Sequence, residues 1–308
     1  MMMIRRMEEL SLELYTKEKI RGFLHLYVGQ EALVTGVMSL LRKEDNVMAT
    51  YREHAHALLK GVPLSSIMAE MFGKSQGCSK GRGGSMHLFS KEHRFFGGNA
   101  IVGAGLPQAV GLAFASLSQN VKRNTVVFFG EGAVAEGIFH ESLNLASLWN
   151  IPVIFICENN LYAMGTSLER SQAQTELTKK AQVHNVISQA GDGMDVFDVI
   201  EKTRQALSYV EEKKKPYFLE FKTYRFRPHS MFDPELYRSK KEIESWKKSD
   251  PILKLRVHLL DREMITEVEI KKMEDDIELL MQEAVLFADK SPLEPVTDLE
   301  KNLYEDVL

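Results

Sequence analysis

The chain has 308 residues, 44% of them apolar and 27% charged, with a net charge of -4 and a pI of about 6.2. These values exclude a disordered chain and a strongly basic one, so no chain-wide positive field favours nucleic acid. Two cysteines, Cys78 and Cys157, cannot build a disulfide framework, which fits a reducing compartment.

The first segment, MMMIRRMEELSLELY, is acidic after two arginines and resembles neither a secretory signal nor a transit peptide. Helical spacing of apolar residues predicts helices over 3–21, 29–41 and 62–72. The stretch 73–86, GKSQGCSKGRGGSM, is rich in glycine and basic residues and is expected to form a functional loop. Its Gly73-Lys74-Ser75 is no P-loop, because Met68 stands where that motif needs glycine. The uncharged run Ala100 to Leu117 contains Gly103, Gly105, Pro107 and Gly111. It reads as a turn and a small-residue helix (107–119) buried against protein; no membrane span is expected.

Strand 124–129 is next, then a helix over 134–149 and a second strand, Val153-Ile154-Phe155-Ile156-Cys157. A helix over 194–210 and a strand over 217–222 follow. A polar loop (224–240) leads to helices that end near 288, with an acidic tail. Gly191-Asp192-Gly193 lacks a preceding apolar run and is expected to open the helix at 194. Strand, helix, strand with both strands continuously apolar predicts an α/β fold, a mostly parallel sheet flanked by helices. One domain is expected over 1–308, with an N-terminal helical segment and C-terminal helices (about 250–290).

In such sheets ligands sit beyond the carboxyl ends of the strands. Here two neighbouring strands end in Gly130-Glu131-Gly132 and Glu158-Asn159-Asn160. Glycines there admit a close ligand, and a diphosphate is the usual one. The carboxylate between them would repel it, unless a cation bridges the two. Glu131 and Asn160 both offer hard oxygens of the kind magnesium takes and shares with phosphates. Two other readings stand beside this one. The triplet alone can be a tight turn. Gly130-x-Gly132-x-x-Ala135 also matches a loose dinucleotide pattern, with Glu158 on a ribose. His54 and His56, two residues apart, share no helix face and are not expected to hold a metal.

The ordered set Phe23-Leu24-His25, Gly29-Gln30-Glu31-Ala32, Tyr51-Arg52-Glu53-His54, Gly81-Arg82-Gly83-Gly84-Ser85-Met86-His87, Ile101-Val102-Gly103, Gly130-Glu131-Gly132, Asn159-Asn160 and Tyr224-Arg225 with His229-Ser230-Met231 carries a resemblance. Over about 3 to 290 the chain resembles alpha subunits of the decarboxylating component of 2-oxo acid dehydrogenase complexes. It is most similar to those of pyruvate dehydrogenase, with acetoin and branched-chain enzymes as relatives.

The resemblance implies a thiamin diphosphate-binding fold. Glu131, Asn160 and the Tyr162 carbonyl would hold magnesium, and Gly132 and Ala133 would approach the diphosphate. Arg52, with Tyr51 beside it, would contact the phosphates. His25 and Val102 would line the pocket. His229 would help position the diphosphate and act near the substrate during acyl transfer. The implied partners are a beta subunit carrying the activating glutamate, in an α2β2 assembly, the lipoyl domain of an acyltransferase, and a small 2-oxo acid. A bacterial cytoplasm is expected, or the mitochondrial matrix for a processed chain. Three positions depart from the family pattern: Glu131 replaces the usual aspartate, Ala100 a glycine, and Arg227-Pro228 the usual His-Gly. The polar loop, with little apolar material, is expected to be mobile until a diphosphate orders it.

Overall fold

The computed structural model describes residues 1–298 and 300–301; the acidic residues near the end of the tail lie outside them. Its centre is a five-stranded parallel sheet made of β1 (Asn46–Met48), β2 (Thr125–Gly130), β3 (Val153–Asn159), β6 (Ile187–Asp192) and β7 (Tyr217–Lys222), in the order β1-β2-β3-β7-β6. A two-stranded hairpin, β4 (Tyr162–Ala163) with β5 (Thr166–Ser167), follows β3.

Side chains alternate across the sheet, and both faces are buried. Val126, Phe128, Ile154, Ile156, Leu219 and Phe221 pack with helices Met2–Thr16, Glu31–Met38, Leu64–Met71, Val196–Lys213 and Glu267–Lys290. Val127, Phe129, Val153, Phe155, Cys157 and Phe218 pack with helices Gly105–Ser118, Gly137–Leu148 and Leu177–Gln182. This sandwich is the reason the strands read as unbroken apolar runs. Cys157 is fully buried, and desolvation raises its thiol pKa well above the ordinary value, as expected of inert core. Among the described residues no helix is long and apolar enough to cross a membrane.

The N-terminal helix stops at Thr16, short of the expected 21. The N–H groups of Lys17 to Ile20 turn back onto the carbonyls of Glu13, Leu14 and Tyr15, and Glu18 takes a left-handed φ of 58°. Gly191 and Asp192 do not open a helix; they end strand β6. Among the described residues that strand pairs only with β7, and it is half exposed, so it carries Ser188 and Gln189 in place of an apolar run. The helix begins at Val196, where the Asp195 carboxylate accepts the Phe197 N–H at 2.9 Å. The short strand β1, the helix His54–Lys60 and the hairpin β4–β5 are too short to show a period.

The glycine-rich stretch 73–86 wraps an internal anion. The Glu70 carboxylate is fully buried and accepts the backbone N–H groups of Ser79, Gly81, Gly83 and Gly84 at 2.7, 2.8, 2.7 and 3.2 Å. A Cβ on Gly83 would lie 1.9 Å from the His87 carbonyl oxygen, so glycine is required by the closeness of the turn. Glu70→Gln puts an NH2 donor against those N–H donors. It should cost about 2–4 kcal/mol, read as a lower urea midpoint; an unchanged midpoint would show that the carboxylate does not hold the loop.

Candidate active site

β2 and β3 run side by side to their carboxyl ends, with Gly130 opposite Glu158. Beyond them β2 continues into a 3-10 turn, Glu131–Ala135, and β3 into Asn160 and the hairpin. A cavity of about 790 Å3 opens there. Every residue expected at the site lines it: His25, Tyr51, Arg52, Val102, Glu131, Gly132, Ala133, Asn160, Tyr162 and His229.

Glu131 is 2% exposed. Its Oε2 accepts the Asn160 N–H at 3.1 Å, which ties the two strand ends together. Its Oε1 is buried without a partner, and so is Asn160 Oδ1. Burial raises the Glu131 pKa, while Arg225 opposes the rise. Buried polar atoms are rarely left unpaired. Two unpaired hard oxygens on adjacent strand ends fit an oxygen-seeking divalent cation. The Tyr162 carbonyl already accepts from Arg225 Nη2 at 3.2 Å and retains its second lone pair. Gly132 has a packing reason of its own: a Cβ there would meet the Ala163 Cβ at 2.7 Å. The hairpin therefore demands this glycine before any phosphate does.

Two buried guanidiniums face the same space. Arg52, 5% exposed, donates to the carbonyls of Leu26 and of His229, the latter at 2.9 Å. Burial, then neighbouring Arg225, brings its pKa down to about 10. Arg225, 1% exposed, donates Nη2 to the Tyr162 and Met164 carbonyls at 3.2 and 3.1 Å, and Nη1 to His229 Nδ1 at 3.1 Å. Its Nε has no partner. Among the described residues neither arginine has a carboxylate partner. Buried cations with no carboxylate in direct contact are costly and favour an anionic ligand, although Glu131 lies near enough for Arg225 to oppose its pKa rise.

The Arg225 contact also fixes His229. A guanidinium can only donate, so Nδ1 must accept and the neutral ring carries its proton on Nε2. Burial, Arg52 and Arg225 hold the His229 pKa down at about 3. His25 is brought to about 2, first by burial and then by Arg52. Its ring lies 4.6 Å from Tyr51 and 5.0 Å from His229, centroid to centroid.

Arg225 stands among the motif residues, but the sequence assigned it no role at the site. It lies past the end of β7, and only the pairing of Asn159 with Lys222 brings it beside the Asn160 turn. Glu158 has its Oε1 engaged. That oxygen accepts a hydrogen bond from the Tyr27 hydroxyl and sits 3.6 Å from His56 Nε2. His54 binds Glu8 at 3.1 Å and Ser85 Oγ at 2.8 Å, so the two histidines do serve different partners.

The polar loop is better tied than expected. Tyr224, Arg225, Phe226 and Arg238 are buried. Arg238 donates to the carbonyls of Arg225 and Arg227 at 2.6 Å each and lies 4.9 Å from the Tyr224 ring centre. Asp233 accepts from the His229 N–H at 2.9 Å and the Tyr237 hydroxyl at 2.8 Å. The arginines use their long stems as packing surface, so counting apolar residues understated the contacts at both ends.

The family model for the dehydrogenase E1 component matches residues 1–297. The chain belongs to the dehydrogenase E1 component family. It is 42% identical over 304 residues to the pyruvate dehydrogenase E1 component subunit alpha of Rickettsia bellii, covering 99% of this chain and 93% of that one. The Porphyra purpurea subunit of the same name is 42% identical over 313 residues, covering 99% and 91%. The chloroplastic alpha-3 subunit of Arabidopsis thaliana is 42% identical over 312 residues, covering 99% and 73%. An E1 chain is an oxidoreductase component with a parallel α/β sheet, and the dinucleotide alternative falls. The turn after β2 is then an E1 strand end rather than a dinucleotide fingerprint.

Proposed function

We propose that this E1 chain is the alpha subunit of a pyruvate dehydrogenase, forming one diphosphate-binding domain and acting with a beta subunit in an α2β2 assembly. The observation that carries this reading is the pairing of two buried oxygens, Glu131 Oε1 and Asn160 Oδ1, with two buried arginines, none of the four having a partner of the needed kind among the described residues. That donor set suits a magnesium diphosphate. Glu131, Asn160 and the Tyr162 carbonyl would hold the metal. Arg52, Arg225 and the backbone at Gly132 and Ala133 would hold the phosphates, and Tyr51, His25 and Val102 would enclose them.

Thiamin diphosphate, when bound there, would supply a nucleophilic carbon for the decarboxylation of the 2-oxo acid. This chain's part is positioning. Arg225 keeps the His229 proton on Nε2, where it can bond to a phosphate oxygen or to the substrate during acyl transfer to a lipoyl group. The low dielectric of the cavity strengthens each of these bonds. The carboxylate that activates the cofactor is assigned to the beta subunit. The alpha-subunit relatives named above favour pyruvate over acetoin or branched 2-oxo acids, and the Rickettsia relatives favour a bacterial cytoplasm.

The test is co-expression with the beta chain, followed by assays on pyruvate, acetoin and a branched 2-oxo acid. The assembly should decarboxylate pyruvate fastest. The isolated chain should bind thiamin diphosphate weakly and show no turnover, and robust decarboxylation by it alone would defeat the division of labour.

A further inference from the structure

The amino ends of β1 and β2 lie at the far edge of the sheet, roughly 17 Å along β2 from the cavity. Three cations gather there. The Asn46 N–H bonds to the Asn124 carbonyl at 2.8 Å, which places Arg123 beside the start of β1. Arg94 donates Nε and Nη2 to Asn46 Oδ1 at 2.8 and 2.6 Å, and its carbonyl takes the Val47 N–H at 3.1 Å. Lys60, only 8% exposed, donates to the carbonyls of Arg42 and Lys43 at 3.0 and 2.8 Å. Gly61, next in the chain, abuts His93, the neighbour of Arg94.

Among the described residues none of the three cations has a carboxylate partner. The nearby Asp45 is already engaged by the Arg42 side chain and by the N–H groups of Arg42 and Asn124. Arg123 keeps its Nε buried with no acceptor among the described residues. Crowding shows in the titration of the group: burial lowers the Lys60 pKa, Asp45 and Glu44 oppose it, and Arg94 and Arg123 add to it. Burial and Arg123 likewise lower Arg94. An orphan guanidinium N–H among like charges is the pattern that an oxyanion relieves, because it supplies both the acceptor and the counter-charge.

We propose that Lys60, Arg94 and Arg123 form a second anion site that takes a tetrahedral oxyanion, either inorganic phosphate or the phosphate group of a small phosphomonoester. The Arg123 fork, with its unpaired Nε, can grip the oxygens of a phosphate; the Arg94 N–H groups left over from Asn46 and the Lys60 ammonium add donors and charge. The site is separate from the cavity, whose arginines are Arg52 and Arg225.

The experiment is calorimetric titration of the full chain with sodium phosphate at low ionic strength. Two binding events are expected. Arg225→Gln removes the one in the cavity and leaves the other. Arg123→Gln and Arg94→Gln each weaken the second by at least about tenfold and leave the first. Circular dichroism checks the fold; should Arg123→Gln fail to fold, the half-exposed Arg94 decides. Methyl phosphate binding as tightly as inorganic phosphate identifies an ester ligand, and much weaker binding identifies the free ion. Phosphate heats unchanged in both Arg94→Gln and Arg123→Gln, or sodium chloride competing at equal concentration, would overturn the site.

Discussion

Glu131→Gln should abolish magnesium-dependent binding of thiamin diphosphate, weakening it by at least about a hundredfold. Glu131 Oε2 serves the Asn160 N–H, and only Oε1 is left for a metal. Glutamine retains one oxygen. If that oxygen stays with Asn160, the cation meets an NH2 group; if it turns to the cation, the buried Asn160 N–H is orphaned. Either way the negative charge is gone. Asn160→Ala removes the neutral oxygen and should act in the same direction. Glu131→Asp keeps the charge on a side chain one methylene shorter and should retain much of the affinity. The metal-free protein should respond in the opposite sense. A buried carboxylate raised in pKa by desolvation is a stability cost, so Glu131→Gln should unfold at an equal or higher temperature without ligands. Titration of the αβ assembly with cofactor, in magnesium and in chelator, gives the first readout and thermal unfolding the second. Unchanged affinity in Glu131→Gln would remove the metal from this site.

How far the sequence disclosed these features follows from the range of the interactions. β2 and β3 are buried on both faces, so burial alone writes them as apolar runs, and their ends mark the site. Edge strand β6 and the hairpin β4–β5 answer to neighbours far away in the chain, and their composition is ordinary. The basic, glycine-rich stretch 73–86 read as a loop with a function of its own, but it wraps Glu70, just before it in sequence. Glu70 reads as one more charge on the helix Leu64–Met71. The expected cavity residues came from motif order, and the geometry brings all of them together. What the motifs left unexplained was the wiring: Arg225 joining the hairpin carbonyls to His229, and Gly132 yielding space to Ala163. Both are contacts between segments that meet only after the sheet has formed.

Ser230→Glu should lower cofactor affinity and activity by about thirtyfold while leaving the fold intact. Ser230 lines the cavity beside His229, and its neighbour's N–H is held by Asp233 at 2.9 Å. A new carboxylate there adds a charge next to Asp233 and to the bound phosphates. Two unit charges about 7 Å apart at an effective dielectric of about 20 repel by about 2 kcal/mol, which corresponds to that factor. The carboxylate would also compete for Arg225 and Arg52, the cations the phosphates need. Because Tyr224, Arg225 and Arg238 anchor the ends of the loop through buried contacts, the effect belongs to its exposed middle, residues 227–237. Ser230→Gln carries similar bulk without charge and should keep most of the activity. High salt should narrow the gap between the two variants, since the loop is partly exposed to solvent. Limited proteolysis of the αβ assembly with and without cofactor reads the loop directly. Cofactor should protect 227–237 in the parent and in Ser230→Gln but much less in Ser230→Glu. Equal cleavage in all states would sink the ordering argument, and full activity in Ser230→Glu would sink the electrostatic one.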